Sequence, residues 1–244
     1  MIVIKWFLIV SLVIGFCWLL YAVFPTYLYR WFHPNVYINV KRAQSFALTF
    51  DDGPHREYTA QILNLLKEHE MKATFFVVGS IAEEQPDLLK RMVMEGHEIG
   101  IHHYNHVSAW FLTPARLKKE IQMCKDVIIE AAGVEPIFYR PPWGHLNLFS
   151  IWCARPYRTI IWSNIFGDWS LKKTKRALEA EMKSKLKRGA VYVLHDNGET
   201  KGADEKAPEH TIGALREFIP YAKRHKMNSK TLSELQKEGT STWN

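Results

Sequence analysis

Between residues 45 and 227 the chain alternates short β-prone runs with amphipathic helical stretches, and this alternation leaves few folds open. Strands are predicted at 45–50, 73–78, 97–101, 137–139, 159–162 and 191–194, with a last short one near Met227. Helices are predicted between them, at 59–69, 86–94, 114–132, 175–188 and 211–226. Ile62, Leu65 and Leu66 give the first helix its apolar stripe. Thr113-Pro114 opens the third as a capping hydroxyl followed by proline at the first helical position, and Gly133 closes it. Such alternation sets parallel strands side by side under a helical cover, an α/β architecture. Polar clusters fall just past the strands: Asp51-Asp52, residues 102–106, residues 140–144 and His195-Asp196. In barrel-type α/β folds the carboxyl ends of the strands carry the chemistry, so these clusters are expected to converge.

The N-terminus carries a second constraint. No charged residue lies between Lys5 and Arg30. A hydrocarbon core of ~30 Å takes about 20 apolar helical residues, so this run is long enough to span a bilayer. Trp6, Trp18, Tyr21, Tyr27, Tyr29 and Trp31 put aromatic rings near both ends, as interfacial belts do. Lys5 followed by an apolar core also suits a cleaved signal peptide. No small-x-small cleavage pattern follows Leu20, however, and Phe24-Pro25-Thr26-Tyr27 is bulky, which favours an uncleaved anchor. The expected organisation is an anchor over residues 1–31, a linker over 32–43, one globular domain over 44–236 and a frayed tail over 237–244. Lys5 and the free amine flank one side of the run and Arg30, Lys41 and Arg42 the other, so the positive-inside count does not place the domain outside the membrane.

A net charge of +7 and a pI near 9.2 suit an anionic partner. Much of that charge sits in residues 172–176 and 183–188, where a solvated helix face is the ordinary explanation. No Cys-His finger spacing and no Arg-rich arm occurs, so nucleic acid is not an expected partner. The three cysteines build neither a zinc framework nor a dense disulfide scaffold, and a Cys124–Cys153 bridge stays open.

The clusters after the strands carry the chemistry. Two adjacent carboxylates, Asp51 and Asp52, raise each other's proton affinity unless a cation compensates; an Asx turn capping the next helix is the ordinary alternative. His102 and His106 stand four apart, so a helical turn would put both imidazoles on one side. Two histidines and a carboxylate are a common set for a catalytic divalent metal, although surface histidines give the same spacing. Arg140 can pair bidentately with a carboxylate. Asp168-Trp169 sets a carboxylate beside a ring able to stack on a sugar, and His195 leaves the core where an imidazole can donate a proton near neutrality.

Taken in order, Thr49-Phe50-Asp51-Asp52-Gly53-Pro54, residues 102–106, residues 140–144, Asp168-Trp169 and Val193-Leu194-His195 resemble the five motifs of the NodB-homology polysaccharide deacetylases, carbohydrate esterase family 4. The resemblance covers about residues 45–235. It implies a distorted (β/α) barrel, usually of seven strands, behind an N-terminal transmembrane helix. It also implies a hydrolase that removes N-acetyl groups from N-acetylglucosamine residues of peptidoglycan or a chitin-like glycan. Other amides or O-acetyl esters, and a non-catalytic tethered glycan-binding protein, are the alternatives. By position, Asp52, His102 and His106 would hold a divalent metal: zinc first, with cobalt, manganese or nickel behind it. Asp51 would be the base, paired with Arg140; His195 would be the acid, tuned by Asp168. Trp143, through its backbone N–H, would help hold the oxyanion. Trp169 and Val193 would line the acetyl pocket, with Tyr139 also on the substrate side. The sequence differs from the usual pattern at His103, where Ser or Thr is common, and at Ile101, Ile165 and Trp143. The expected setting is a monomer on the cell membrane, single-pass, with its catalytic domain on the extracytoplasmic side.

Overall fold

The computed structural model describes residues 2–239; the expected tail beyond, residues 240–244, lies outside the described residues. The chain begins as one helical rod: α1 (Ile2–Trp18), a π-helical turn (Leu19–Val23) and α2 (Phe24–Phe32). Then follow β1 (Val36–Tyr37), β2 (Ala47–Asp51), α3 (Tyr58–Glu68), β3 (Ala73–Val77), α4 (Gly79–Ala82), α5 (Pro86–Met94), β4 (Glu98–Ile101) and α6 (Pro114–Ala132). The second half comprises β5 (Phe138–Tyr139), α7 (Ser150–Cys153), β6 (Arg158–Ile160), β7 (Asn164–Ile165), α8 (Lys175–Ser184), β8 (Val191–His195), α9 (Ala207–Arg224) and α10 (Leu232–Glu238).

All strand pairs are parallel, in the order β1-β6-β5-β4-β3-β2-β8-β7. The sheet curls into an open, barrel-like trough, and among the described residues it has eight strands, not the seven expected. Two members lie outside the expected strands: β7, paired with β8 through Asn164 and Ile165, and, at the other edge, β1. The latter lies inside the segment read as a linker, where Val36 and Tyr37 pair with Thr159 and Ile160. A two-residue edge strand flanked by Pro34 and Asn35 offers no periodicity to detect. The last expected strand is reduced to an isolated bridge between Phe46 and Ser229. α8 stops at Ser184, and α10 opens with a capping box, Thr231 and Glu234, and runs to Glu238, into the stretch expected to be a frayed tail.

Strand alternation divides the core. The outward residues Leu48, Phe50, Phe75 and Tyr139 pack under the helices, with Phe50 and Phe75 stacked at 5.1 Å. The inward residues Ala47, Phe76, Phe138, Ile160 and Val191 meet Leu232 and Leu235 of α10, which fills the trough from its amino end. Further along the same inward face, the period of two delivers Thr49 and Asp51 beside Val193 and His195. The interior is thus apolar at one end and chemical at the other.

The rod is free along α1 and docked beyond it. The side chains of residues 3–17 are exposed, whereas Ala22 and Pro25 are buried against the domain. Polar groups in the apolar run fasten it: the Tyr21 hydroxyl donates to the Leu112 carbonyl at 2.5 Å. Thr26 Oγ1 donates to the Leu146 carbonyl at 2.7 Å and accepts from the Trp110 indole at 2.8 Å. The Tyr29 hydroxyl donates to the Leu148 carbonyl at 2.9 Å.

Candidate active site

Strand register assembles the site. β2 and β8 align Asp51 with His195. β4 and β5 align Ile101 with Tyr139, so His102 and Arg140 leave the sheet at the same level. Asp52 follows with φ +76°, in the left-handed region that aspartate tolerates better than most side chains. This turn brings two consecutive carboxylates into one cleft although strand neighbours point to opposite faces. Gly53 is required next to it, because a Cβ there would sit 2.3 Å from the Asp196 carboxylate.

Asp52 Oδ1 lies 3.3 Å from His102 Nε2 and 3.0 Å from His106 Nε2. One donor atom from each of the three falls within 4.8 Å of the others. His102 and His106 converge by a different route from the expected helical turn. Residues 102–107 form an irregular loop, with His103 at φ +64° and His106 at φ +49°. His102 Nδ1 is 2.8 Å from the Arg140 carbonyl, which can only accept, so Nδ1 carries a proton and Nε2 is the nitrogen turned toward the Asp52 carboxylate. Two imidazole nitrogens and a carboxylate oxygen converging on one point are a donor set that fits a divalent metal. Burial would raise the Asp52 carboxyl, but the two imidazoles outweigh it and hold it well below the usual carboxylate range. Its other oxygen accepts from Thr200 Oγ1 at 2.5 Å.

Behind this cluster sits an ion pair removed from water. Arg140 is fully buried, and its Nη1 donates to Asp51 Oδ1 at 2.6 Å and to Thr49 Oγ1 at 2.8 Å. Nε and Nη2 donate to the carbonyls of Ile160 and Ile161 at 3.2 and 2.9 Å. Four hydrogen bonds fix the guanidinium plane and, through it, Asp51.

Across the cleft, His195 Nδ1 is 2.9 Å from Asp168 Oδ1. Asp168 Oδ2 accepts from the His195 backbone N–H at 2.8 Å and from Thr211 Oγ1 at 3.0 Å. Burial disfavours a charged ring here, but the charge and hydrogen bond of Asp168, with Asp52 and Asp51 adding, push His195 up to about 10. Asp168 thereby orients Nε2 into the cleft and keeps the proton on it at neutral pH.

The cleft encloses about 310 Å³, with Asp51, Asp52, His102, His106 and His195 in its wall. Trp143, Trp169 and Val193 line it, while Arg140 and Asp168 stand behind it. Trp143 has φ +55° and lays its indole 4.4 Å from the His106 ring. Tyr139 is a correction. Its side chain lies on the helix side of the sheet, fully buried, with its hydroxyl 2.8 Å from His103 Nε2, so it does not line the cleft. Arg140 occupies the inward position and Tyr139, one residue earlier, cannot. His103 also faces away from the cluster: its Nδ1 is 2.8 Å from the Val107 carbonyl, and burial lowers it to about 3.

Sequence reasoning missed Thr200, a single hydroxyl in a polar loop with no motif to mark it. It also gave no role to Asp196, whose carboxyl is buried, accepts from Thr59 at 2.5 Å and is pushed up to about 7 by that burial. The signal for Asp196 was its place beside His195. Cys124 and Cys153 are free thiols, so the open bridge does not form.

Residues 39–155 match the family described as polysaccharide deacetylase. A peptidoglycan-N-acetylglucosamine deacetylase of Bacillus cereus is 33% identical over 215 residues, which cover 86% of this chain and 94% of that protein. The peptidoglycan-N-acetylmuramic acid deacetylase PdaA of Bacillus subtilis is 33% identical over 172 residues, 67% of this chain and 65% of that one. Among solved structures, a peptidoglycan N-acetylglucosamine deacetylase bound to a hydroxamate-type benzamide superposes with a TM-score of 0.76 at 28% identity, covering 85% of this chain and 95% of that one. The fold and these relatives define a hydrolase of the polysaccharide deacetylase class. The chain belongs to that family, carbohydrate esterase family 4.

Proposed function

We propose that this chain is a membrane-anchored, metal-dependent amidase that removes N-acetyl groups from N-acetylglucosamine residues of a peptidoglycan-type glycan. The observation that carries the reading is the Asp52–His102–His106 cluster, with a buried Asp51–Arg140 pair on one side and the His195–Asp168 pair on the other. Asp52, His102 and His106 would hold the cation, zinc being the ion that such a set suits best. When bound, a divalent cation supplies Lewis acidity, polarising a carbonyl and acidifying water. Asp51, fixed by Arg140, accepts the proton of the attacking water. The backbone N–H of Trp143 donates to the oxyanion, where preorganised donors stabilise developing charge. His195 delivers its Nε2 proton to the departing sugar amine and is left neutral, still held in place by the hydrogen bond to Asp168. Trp169 and Val193 hold the acetyl methyl in the cleft, and Trp143 offers a face to the sugar ring. The products are acetate and a free amine.

The same reading assigns the N-terminal rod to the membrane as an uncleaved, single-pass anchor, with residues 44–236 as the catalytic domain on the extracytoplasmic side. Its support is length and attachment. The apolar helix from Val3 to Phe32 has 30 residues, and its second half is bonded to the domain through Tyr21, Thr26 and Tyr29. Cleavage within such a docked segment would strip buried contacts from the domain. The relatives named above act on peptidoglycan, which agrees with a site outside the cytoplasm. Acetate release from N-acetylglucosamine oligomers and from peptidoglycan, by the zinc-loaded chain and by Asp51→Asn, tests the assignment. The variant is expected to lose at least ~100-fold in kcat, the low end for general acid–base groups. Equal rates would remove Asp51 from the mechanism.

A further inference from the structure

The free part of the rod is too short to cross a bilayer by itself. Residues 3–17 stand clear of the domain, and at ~1.5 Å per residue they span roughly 22 Å. The hydrocarbon core is ~30 Å thick. From Lys5, the charged residue at the far end, to Trp18 the distance is only about 20 Å by the same rise. A rod that spans therefore draws the Trp18–Ala22 turn, and the domain surface packed on it, down to the outer leaflet.

That surface is built for the position. Phe111, 75% exposed, stacks on Trp18 with centroids 5.9 Å apart. Leu148 and Phe149, both exposed, flank Tyr21 on another side of the rod, the Leu148 N–H donating to the Tyr21 carbonyl at 2.8 Å. At the same level a groove of about 650 Å³ opens, walled by Trp18, Trp110, Phe111 and Leu112. Its inner end is formed by His106, Trp143 and Lys201, which also line the catalytic cleft. Groove and cleft adjoin across these shared residues, so the groove runs from the leaflet side up to the rim of the catalytic cleft.

We propose that the groove takes the hydrocarbon chain of a lipid-anchored glycan, so that the substrate is an N-acetylated sugar head group still tethered to the membrane. The inference rests on the deacetylase reading and on the rod spanning the bilayer, and it narrows the substrate class. The lining shared with the cleft selects this occupant. The groove ends beside the active site, and its apolar wall at the leaflet buries more of a hydrocarbon chain than of a water-soluble glycan. A protein partner seated there would close the wall formed by His106 and Trp143. Lys201 stands at the junction, where the anionic linker of a sugar-phosphate lipid would pass. The chemistry is unchanged: water adds to the acetyl carbon, the C–N bond breaks, and a proton goes to the amine, leaving the linker to the lipid intact.

The test uses the full chain, zinc-loaded and reconstituted in phospholipid vesicles, with acetate release as the readout. One substrate is N-acetylglucosamine joined through phosphate to a polyprenyl chain, with a series of shorter chains; the other is a water-soluble N-acetylglucosamine tetramer. The expected result is a kcat/KM at least tenfold higher for the tethered sugar, rising with chain length. Phe111→Ser, at an exposed position, is expected to lose at least tenfold on the tethered sugar and less than twofold on the tetramer. Shared residence on one bilayer raises both proteins' rates alike, so the selective loss identifies the groove. Turnover of the tetramer with no tethered preference, no chain-length trend, or an equal loss on both substrates in Phe111→Ser overturns the inference and leaves the deacetylase reading standing. Acetate from neither substrate overturns both.

Discussion

Replacing Arg140 by methionine removes a buried cation from a buried anion and leaves the anion behind. The guanidinium is fully buried and Asp51 is 3% exposed, so water reaching it through the cleft rehydrates the carboxylate only in part. Breaking such a pair from one side costs about 3–5 kcal/mol. The carbonyls of Ile160 and Ile161 lose their guanidinium donors as well, each of which costs ~1–3 kcal/mol when left unsatisfied. A total of at least about 5 kcal/mol follows, and with a urea slope of ~2 kcal/mol per molar the unfolding midpoint falls by about 2.5 M. The pair's own share is isolated by a double-mutant cycle with Asp51→Asn, which deletes the stranded charge. The cycle, run by urea titration of the full chain in detergent, is expected to return a coupling of about 3 kcal/mol or more. Arg140→Lys keeps a charge but not the fork that reaches Asp51, Ile160 and Ile161 together, and its stability falls between the two. A coupling below ~1 kcal/mol, the range of exposed pairs, would refute the claim that burial makes this contact strong.

Asp168→Asn removes the main influence holding the His195 ring at about 10. Because the charged ring is the proton donor, activity falls as pH rises through its pKa, and the variant's alkaline limb in a kcat–pH profile moves to lower pH; an unmoved limb contradicts the tuning role. Thr200→Val deletes the 2.5 Å hydrogen bond to Asp52 and is expected to weaken metal affinity ~10–100-fold in a chelator competition, whereas unchanged affinity would assign Thr200 to the loop alone. His103→Ala strands the Val107 carbonyl and the Tyr139 hydroxyl, lowering stability by about 1–3 kcal/mol with metal stoichiometry unchanged; loss of the metal would make His103 a ligand.

The parts of the site legible in the sequence are those fixed by strand ends. Asp51, His102, Arg140 and His195 each follow an apolar run, and parallel pairing brings such positions to one level. What the sequence hid is conformation within the loops. His102 and His106 have helical spacing, yet two left-handed residues, not a helical turn, bring their rings together. Tyr139 neighbours Arg140 in sequence but lies on the other face of the sheet, a difference of one residue in register that a two-residue strand does not reveal. The docking of the rod was obscured for another reason. Tyr21, Thr26 and Tyr29 read as interfacial residues of a membrane span, and their hydrogen bonds to Leu112, Leu146 and Leu148 depend on a domain far away in sequence.

Zinc titration of the chelator-stripped full chain, followed by calorimetry and by acetate release from an N-acetylglucosamine oligomer in the same samples, addresses the proposed centre directly. One zinc per chain is expected, with acetate release rising in proportion to occupancy and both lost in Asp52→Ala. Acetate release that persists in stripped protein, or zinc bound as tightly by Asp52→Ala as by the parent chain, would contradict the assignment of Asp52, His102 and His106.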